Sequence, residues 1–473
     1  MKIFIIICIP IITLFISIFM YSCKSRGARF FGFNDNTNFS GYVHAVGKVS
    51  NTFGTPLGRD LDNDGDLDAT VIFHNIAGGS RHEYGYSIYV HQNGKIYVTG
   101  ESSNTSDQDL IVTRLNSNGS LDTTFGSGGH VVINNIVGNN SWEQGNSIYV
   151  DQAGKVYVTG ESSSGLIIDL IVTKLNSDGS LDTTFGSGGH VILHNIAGGN
   201  WYDYGHSIYV DQAGKVYITG CSWNGSDEDL IVTRLNSNGT LDNTFGSSGH
   251  VILHNIAGGN SDDVGYSIYV DQSGKVYVTG YSYNVSDEDL IVTRLNSNGT
   301  LDNTFGSGGH VVLNNVAGGN WERGYSIYVD QNGKIYVTGQ GWNSLDVDLI
   351  VTRLNSDGSL DTTFGSGGHV IVHNIAGGNW EEGRSIYLDQ TGKVYVAGQA
   401  RNVSDTDLAV TRLNSDGSLD TTFGSGGHVI VHNIAGGNSE EGNSIYVDQN
   451  GKIYVSGSSH NGSNYDLIVV KIE

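Results

Sequence analysis

The chain has 473 residues, with 24 Lys and Arg against 48 Asp and Glu, which gives a formal net charge of −24. A surface this acidic repels phosphate backbones and anionic lipid headgroups, so nucleic-acid binding and polybasic membrane docking are excluded. Hydrophobic residues make up 38% of the chain, enough for a packed core, while 68 Gly and only 2 Pro indicate a turn-rich chain of short elements. Three cysteines, Cys8, Cys23 and Cys221, are too few for a disulfide scaffold in a chain of this length.

The first 22 residues have the layout of an export signal. Lys2 precedes the apolar run 3–20, and Tyr21, Ser22 and Cys23 follow it directly. This order resembles a bacterial lipoprotein signal that ends in a lipobox. The resemblance implies cleavage before Cys23, lipidation of Cys23, and a location in the bacterial cell envelope, as a lipoprotein of the outer membrane or cell surface.

The alternative for this segment is an uncleaved membrane anchor, because 18 apolar residues reach the lower limit for spanning a bilayer. Pro10 interrupts a helix there, and Lys24, Arg26 and Arg29 after the run disfavour the exported orientation. Residues 23–58 are rich in Gly, Asn and Ser without clear periodicity, and they are interpreted as a lipid-anchored tether.

The remaining part of the chain, residues 59–473, repeats one unit seven times. The tetrapeptide Ser-Ile-Tyr-(Val/Leu) recurs at a spacing of 59 or 60 residues. A fixed period of this kind is the signature of a repeat architecture. The seven copies begin at Ser87, Ser147, Ser207, Ser267, Ser326, Ser385 and Ser444.

Each period fits four strands and no helix. In the third copy the β-rich runs are 207–211, 216–219, 229–235 and 250–256, and a Gly turn between the first two predicts a hairpin. These runs are apolar on both faces, so each sheet needs a sheet in front of it and another behind it. One unit could not fold alone, and its neighbours must complete its core.

The last copy ends after its third run, 466–472, and its fourth run is found near the start of the chain. The segment 70–79 matches 250–259 almost residue for residue. A unit divided between the two termini is how a β-propeller closes its ring. The sequence therefore predicts an all-β, seven-bladed β-propeller of four-stranded blades, with the last blade built from 442–473 plus the strand 70–76. An open β-solenoid is the alternative.

The repeated phrases GKVYVTG and DLIVTRLNSDGSLDTTFGSGG resemble the bacterial delta-60 repeat over about 400 residues. The resemblance implies a β-propeller in an exported or surface protein. It implies no reaction and no site residues.

Residues that recur in every copy are interpreted as scaffold, because a group present in all blades cannot mark one active site. They include a hairpin Lys (Lys215), an Asp that opens the third strand (Asp229), an Arg or Lys (Arg234) and a turn Asp (Asp242). We expect salt bridges and turn caps between blades from them. A carboxylate also precedes each first strand, and turn capping is favoured for it over cation binding. These seven residues are Glu83, Glu143, Asp203, Asp263, Glu322, Glu381 and Glu440.

Variation among the copies is concentrated in two loops, one leading into the first strand and one between the second and third strands. In a propeller both loops emerge on the same end of the ring, so this end is predicted to bind a ligand. Exposed aromatic rings on polar loops are typical of surfaces that stack on sugars or peptide side chains, and the alternative is that they plug the seams between blades. The predicted ligand-binding residues are Trp142, Tyr202, Trp223, Tyr283, Trp321, Trp342 and Trp380.

One segment breaks the repeat, with an acidic residue at every second position and a Gly at the turn. This spacing is typical of a loop that wraps Ca²⁺, and a decayed repeat turn is the alternative. The predicted ligands are Asp60, Asp62, Asp64, Asp66 and Asp68. Apart from Ca²⁺, no cofactor is expected.

The sequence contains no catalytic constellation. The titratable residues that depart from the repeat lie on different blades without a paired nucleophile or base, and Cys221 has no evident partner. They are His82, His206, His460, Arg323, Arg384 and Arg401. We therefore expect a monomeric, exported, membrane-anchored protein that binds a glycan or a protein at the cell surface. The alternatives are a hydrolase or lyase acting on polysaccharide at the same face, and a purely structural envelope protein.

Overall fold

The computed structural model describes residues 54–56, 69–79, 81–138 and 141–473. These ranges contain 29 β-strands and no helix. Among them, no helical segment is present that has the length and hydropathy to cross a bilayer. The predicted signal, Cys23 and the Asp-rich segment 60–68 lie outside the described residues, as does the tether except for 54–56.

The strands form seven antiparallel sheets, each of which is one blade. The first three blades contain, in order, β3 (Glu83–Val90), β4 (Ile96–Ser103), β5 (Gln108–Leu115) and β6 (His130–Ile133); β7 (Trp142–Val150), β8 (Val156–Ser164), β9 (Ile167–Leu175) and β10 (His190–Leu193); and β11 (Asp203–Val210), β12 (Val216–Trp223), β13 (Glu228–Leu235) and β14 (His250–Leu253). The next three contain β15 (Asp263–Val270), β16 (Val276–Tyr283), β17 (Glu288–Leu295) and β18 (His310–Leu313); β19 (Glu322–Val329), β20 (Ile335–Trp342), β21 (Val347–Leu354) and β22 (His369–Val372); and β23 (Glu381–Leu388), β24 (Val394–Arg401), β25 (Thr406–Leu413) and β26 (His428–Val431).

The seventh blade joins the two ends of the described chain. Its strands are β27 (Glu440–Val447), β28 (Ile453–His460), β29 (Tyr465–Ile472), β2 (Ala69–Phe73) and, at the outer edge, the short β1 (Thr55–Pro56). Strand β2 pairs antiparallel with β29, with Phe73 opposite Leu467. The first strands of neighbouring blades contact one another in a closed series that returns from β27 to β3. The predicted seven-bladed propeller with an N-terminal closing strand is therefore confirmed, and the open solenoid is wrong.

The fourth strand of each blade is shorter than predicted. In the third blade it ends at Leu253 rather than at Ile256, because Asn255 takes the left-handed backbone conformation with φ of 56° and turns the chain out of the sheet. The closing strand likewise ends at Phe73, before Asn75 with φ of 59°. Asparagine is enriched in this conformation, which is the physical reason for the repeated His-Asn or Asn-Asn at this point.

The first strand of each blade is longer than predicted. In the third blade it begins at Asp203, and the ladder continues through Gly205, which pairs with Gly220. The register shifts between Gly205 and Ser207, so His206 is an extra, bulged residue. The same shift occurs in all seven blades.

The hydrophobic core is a ring of clusters, each shared by two adjacent blades. Between the third and fourth blades, Leu230 and Val232 pack with Ile268 and Val276. Leu230, Val232 and Val276 are completely buried. The expectation that the strands are covered on both faces is confirmed, and each interface supplies burial that a single blade could not supply to itself.

Backbone hydrogen-bonding groups are also shared between blades. The Ile268 amide donates to the Ser207 hydroxyl of the preceding blade at 3.3 Å, and the contact recurs at six interfaces. Nearer the outside, the Gly246 amide donates to the Asn298 carbonyl of the following blade at 2.8 Å. Each such bond contributes about 1 kcal/mol.

Candidate functional site

The two loops with variable sequence lie side by side on one end of the ring, as predicted. In the third blade the Trp223 amide, at the end of β12, donates to the Tyr202 carbonyl, just before β11, at 2.9 Å. The corresponding bond joins Trp342 to Trp321 at 3.0 Å in the fifth blade. We call this end of the ring the variable end, and the end that carries the Asp-x-x-Gly-Lys hairpins the invariant end.

At the invariant end a ring of seven tyrosines surrounds the axis. They are the tyrosines of the Ser-Ile-Tyr tetrapeptides, one from each blade: Tyr89, Tyr149, Tyr209, Tyr269, Tyr328, Tyr387 and Tyr446. Each ring contacts the next at centroid distances of 5.0 to 6.0 Å, and the series closes between Tyr446 and Tyr89. Burial raises the pKa of Tyr89 and Tyr209 to about 12, so these hydroxyls stay neutral. The tyrosine ring belongs to the scaffold.

The recurrent charges form ion pairs at the same end. Asp242 accepts from Lys215 at 2.7 Å and from Arg234 at 2.8 Å, all in one blade. Burial raises the pKa of Asp242, but the hydrogen bonds from Lys215 and Thr244 outweigh it and hold this pKa well below its usual range. The recurrent charges therefore form salt bridges within one blade. The prediction that they form salt bridges between blades is wrong. Only the Arg234 guanidinium reaches the next blade, where it donates to the Ser297 carbonyl at 2.5 Å.

Six of the seven carboxylates at the start of the first strands are turn caps, as predicted, whereas neither carboxylate oxygen of Glu381 has a hydrogen-bond partner among the described residues. Glu143 accepts from the amides of Asn135 and Ile136 at 3.0 Å each, and from the Ser162 hydroxyl at 2.8 Å. Asp203 accepts from two amides in the same way. These bonds satisfy the backbone where the chain turns out of the fourth strand. Burial nonetheless raises the pKa of Glu83, Glu322, Glu381 and Glu440 to about 7.

The channel opens at the variable end into a cavity of about 470 Å³, here called the mouth. Every blade contributes its bulged residue to the lining; the residue is Tyr in three blades, Asn in two, and His or Arg in the other two. They are Tyr86, Asn146, His206, Tyr266, Tyr325, Arg384 and Asn443. The bulge turns this side chain toward the axis, so one position per repeat varies without disturbing the ladder on either side.

Charge is distributed unevenly around the mouth. Arg384 is held by Glu441 at 2.7 Å and by Glu382 at 3.5 Å. On the other side Glu161 lines the cavity and accepts from the Asn146 amide at 2.6 Å. Burial raises the pKa of Glu161 to about 8 and that of the neighbouring Glu101 to about 7.

Two other residues at the mouth are neutral for the same reason. His206 lines the cavity with Nδ1 3.0 Å from the Gly265 carbonyl, and burial lowers its pKa. Cys221 is buried, and burial raises the pKa of its thiol well above the usual value. A thiol in this state is a poor nucleophile.

A second cavity of about 640 Å³, here called the groove, lies beside the mouth between the fourth, fifth and sixth blades. Three of the predicted aromatic residues line it, namely Tyr283, Trp321 and Trp380. Arg323 and Glu288 also line it and form a bidentate pair, with Nη2 to Oε1 at 2.7 Å.

The groove also contains a buried amide. Gln340 lines it, is 4% exposed, and its Oε1 has no hydrogen-bond partner among the described residues. A buried polar atom without a partner is costly, and a ligand in the groove would satisfy it.

The other predicted aromatic residues lie near this groove or on different blades. Trp342 stacks on Trp321, with centroids 6.3 Å apart and planes 11° apart. Tyr202 and Trp223 form a separate cluster on the third blade with Trp201, which is 57% exposed and stacks on Trp223 at 5.3 Å. Trp142 is the half-buried first residue of β7.

The mouth was not predicted from the sequence. The signal was present in the residue before each Ser-Ile-Tyr and in the residue after each second-strand Gly, such as Glu101, Glu161 and Cys221. These positions differ between copies inside otherwise constant strands. Of the singular titratable residues, His206 and Arg384 line the mouth and Arg323 lines the groove. Arg401 is at the exposed end of β24.

His82 and His460 lie at the junction between the first and last blades. His82 and His460 both pack against Tyr465, at centroid distances of 5.9 and 5.1 Å. The Tyr465 amide lies 3.2 Å from Nδ1 of His82. Both histidines therefore have a role in the packing of this junction.

Among the described residues, no group of three or more His, Cys, Asp and Glu side chains is arranged to hold a metal ion. The predicted calcium ligands Asp60, Asp62, Asp64, Asp66 and Asp68 lie outside that part of the chain. The calcium site stays a prediction.

Comparison with protein families bears on the repeats. The family model described as a domain of unknown function (DUF5122) beta-propeller matches six segments: 91–125, 154–185, 214–245, 272–305, 331–364 and 390–423. The chain carries beta-propeller repeats. Each matched segment runs from the hairpin at the end of a first strand to the invariant Phe-Gly turn. The match therefore covers the second and third strands with the loop between them, and it leaves out each first strand, including the bulged residue.

Comparison with other proteins adds no functional assignment. No curated protein matches the sequence. Among solved structures, the chain is similar to the polysaccharide lyase Uly1, with 11% identity, 87% of this chain and 93% of that chain covered, and a TM-score of 0.45. It is also similar to the polysaccharide lyase PL25-Ulvanlyase, with 12% identity, 83% and 94% coverage and a TM-score of 0.46, and to Drosophila Semaphorin 2a, with 10% identity, 85% and 75% coverage and a TM-score of 0.47. At these values the likenesses carry no argument about ligand or reaction.

Proposed function

We propose that this protein is a saccharide-binding propeller that holds its ligand in the groove at the variable end. The observation that carries the proposal is the meeting of Tyr283, Trp321 and Trp380, from three successive blades, in one groove with the Gln340 amide oxygen, which has no hydrogen-bond partner among the described residues. Flat aromatic faces cover the apolar faces of sugar rings, and a buried amide fixes a hydroxyl or an acetamido group by hydrogen bonding.

The size and charge of the groove favour an uncharged saccharide. A volume of about 640 Å³ lies within the range of small-ligand sites. Arg323 pairs with Glu288, Glu382 pairs with Arg384, and Asp287 accepts a hydrogen bond from Asn284, so the charged groups of the groove already have partners and a ligand need not bring a charge. The net charge of −24 also disfavours a polyanionic chain, because long-range repulsion would slow its approach.

Sequence outside the described residues supports a location for this activity. The apolar run followed by Cys23 resembles a lipoprotein signal, so the proposed protein is exported and anchored in the bacterial envelope. A surface anchor would present the variable end to glycans or glycoproteins outside the cell. Mass spectrometry of the membrane fraction, with Cys23→Ser as the control, would detect the acylated N-terminal cysteine.

The test of binding is a glycan array probed with the purified chain, followed by calorimetry on the best hit. Trp321→Ala and Trp380→Ala should each weaken binding about tenfold, the equivalent of about 1.4 kcal/mol of lost contact. Trp201→Ala is the matched control, since this exposed tryptophan lies on the third blade outside the groove. Equal affinities in all three variants would contradict the proposal.

The second candidate function is a hydrolase or lyase acting on polysaccharide at the same end. It is favoured by Glu161 and Glu101, because a carboxyl group with a pKa of about 7 to 8 can act as a general acid at neutral pH. Incubation of the chain with the bound polysaccharide distinguishes the two functions. New reducing ends or unsaturated products that disappear in Glu161→Gln would favour the enzyme, and unchanged polysaccharide would favour the binding protein.

A further inference from the structure

The mouth is a cavity distinct from the groove, and it contains carboxyl groups that have no cationic partner among the described residues. It shares Tyr325 and Glu382 with the groove, but most of its lining comes from the other blades. Its positively charged group, Arg384, is already held by Glu441 and Glu382. Its carboxylates on the first three blades, Glu161 and Glu228 together with Glu101 behind Tyr86, form no ion pair among the described residues.

Glu161 is the clearest case of a buried carboxyl group without a cationic partner. Its side chain lines the mouth although the residue is only 6% exposed. Oε2 accepts from the Asn146 side-chain amide at 2.6 Å, and no cationic side chain in the described part of the chain pairs with either oxygen. The same Asn146 side-chain amide also donates to the Gly205 carbonyl at 3.1 Å.

Glu101 has the same arrangement in the preceding blade. It is 3% exposed, accepts from Gln108 at 3.0 Å through Oε1, and its Oε2 has no partner among the described residues. Two buried carboxylates without a cation are unfavourable when ionised, because burial removes their hydration and no opposite charge replaces it. A cation in the mouth would relieve both.

The walls near these carboxyl groups are aromatic. Tyr86 lies beside Glu101 and stacks on Tyr84 with ring planes 6° apart. Tyr204, on the next blade beyond Glu161, stacks on His206. Tyrosine faces attract an organic ammonium ion through cation–π contact and cover its alkyl surface, whereas a hydrated inorganic ion gains little from them.

We propose that the mouth of the channel binds an organic ammonium group, such as the amine of an amino sugar or of an alkylamine, between Glu161, Glu101 and the tyrosines of the first three blades. A divalent metal ion fits less well, because no three ligating side chains of the described residues converge there. The inference does not depend on the saccharide groove, and each site can be present without the other.

The probe is tetramethylammonium chloride, measured by calorimetry with the full chain. Its charge does not titrate, so any pH dependence belongs to the protein. The titratable groups around Glu161 at the mouth are Glu101, Glu228, His206, Tyr86, Tyr204 and Cys221. Burial raises the pKa of both tyrosines and of the thiol and lowers the pKa of His206, so the carboxyl groups are the ones that gain negative charge between pH 5.5 and 8.5.

We expect saturable binding at pH 8.5 that weakens at least tenfold at pH 5.5, because protons then compete for the carboxylates. Sodium chloride at equal ionic strength and neutral neopentyl alcohol are the ligand controls. No heat of binding at either pH, or equal affinity for the neutral alcohol, would overturn the proposal.

Glu161→Gln and Glu101→Gln keep the shape of the site and remove its charge, and each should weaken tetramethylammonium binding at pH 8.5 at least tenfold. Asp405→Asn removes one negative charge from a loop on the same end without touching the mouth, and it should leave the affinity unchanged. Thermal melting of each variant shows that it is folded, and neutralising a buried carboxyl should not lower the melting temperature. Wild-type affinity in both Gln variants would overturn the proposal, even if the saccharide screen succeeds.

Discussion

The two ends of the propeller are built from the same strands and have opposite characters. At the invariant end every blade presents the same tyrosine, and six of the described blades repeat the same ion-paired Lys, Asp and Arg or Lys, while Glu473 takes the place of the Asp in the seventh. At the variable end the equivalent positions vary among the blades; among the described residues, the Gln340 amide oxygen in the groove has no hydrogen-bond partner and Glu161 at the mouth has no cationic partner. Repetition therefore serves ring closure, and the variation is confined to the end where we propose that a ligand binds.

Within one blade, a residue that lines the cavities and a residue of the tyrosine ring are only three positions apart. On β19, Tyr325 lines both cavities and Tyr328 belongs to the tyrosine ring. The bulge at Tyr325 separates the regular ladder from the stretch that is free to vary. A residue of the same type therefore lines the proposed binding cavities in one position and belongs to the scaffold in the other.

The largest expected effect concerns closure, on which both ends depend. Phe73 lies on the closing strand, is 7% exposed, and packs in the cluster shared by the last and first blades. Phe73→Ala should lower the free energy of unfolding by about 3–5 kcal/mol. Urea denaturation measures it, with Val132→Ala on the exposed outer strand of the first blade as the control. Equal costs in the two variants would show that the N-terminal strand is not part of the ring.

A smaller expected effect is that the two ends contribute to folding stability in different pH ranges. Glu83, Glu322, Glu381 and Glu440, with Glu161 at the mouth, have folded pKa values of about 7 to 8, above the 4.5 of an ordinary Glu. The folded state therefore holds protons that the unfolded state has lost, and this stabilisation disappears as the pH rises through 7 to 8. The melting temperature should fall between pH 6.5 and 8.5 at constant ionic strength.

The invariant end should dominate the acid side of the same curve. The pKa of Asp122, Asp182 and Asp242 is lowered by ion pairs and hydrogen bonds, so their contribution is lost only as the pH falls below 4. Burial also lowers the pKa of His130 and its equivalents, which favours folding as the pH rises toward 6.5. In Glu161→Gln the alkaline slope should become shallower while the acid slope stays unchanged. An alkaline slope identical to that of the wild type would contradict the assignment.

Much of the fold could be predicted because it is written in periodicity. The spacing of the Ser-Ile-Tyr tetrapeptides, the two-faced apolar runs and the divided last unit determine seven closed blades without knowledge of any side-chain orientation. The ends of the strands could be predicted less well. Asn255 leaves the sheet by a left-handed turn, and His206 is an extra residue in the ladder, and neither interrupts the apolar pattern.

The site could be predicted only in part, because sequence shows which loops vary and not which of them meet. Tyr283, Trp321 and Trp380 come together since consecutive blades place these loops side by side, whereas Tyr202 and Trp223 lie on the third blade away from the groove. Glu161 was overlooked because it lies within a strand between constant residues. Its approach to the axis depends on the tilt of the blade, which a linear pattern does not contain.

The most direct test of the account compares Tyr325→Leu with Tyr328→Leu, the same substitution at positions three residues apart on one strand. Affinity for the bound glycan and the melting temperature are measured for both variants. The account predicts that Tyr325→Leu weakens binding with little change in melting temperature, and that Tyr328→Leu lowers the melting temperature with no change in affinity. Loss of binding in Tyr328→Leu while Tyr325→Leu binds normally would contradict the division of the ring into a structural end and a binding end.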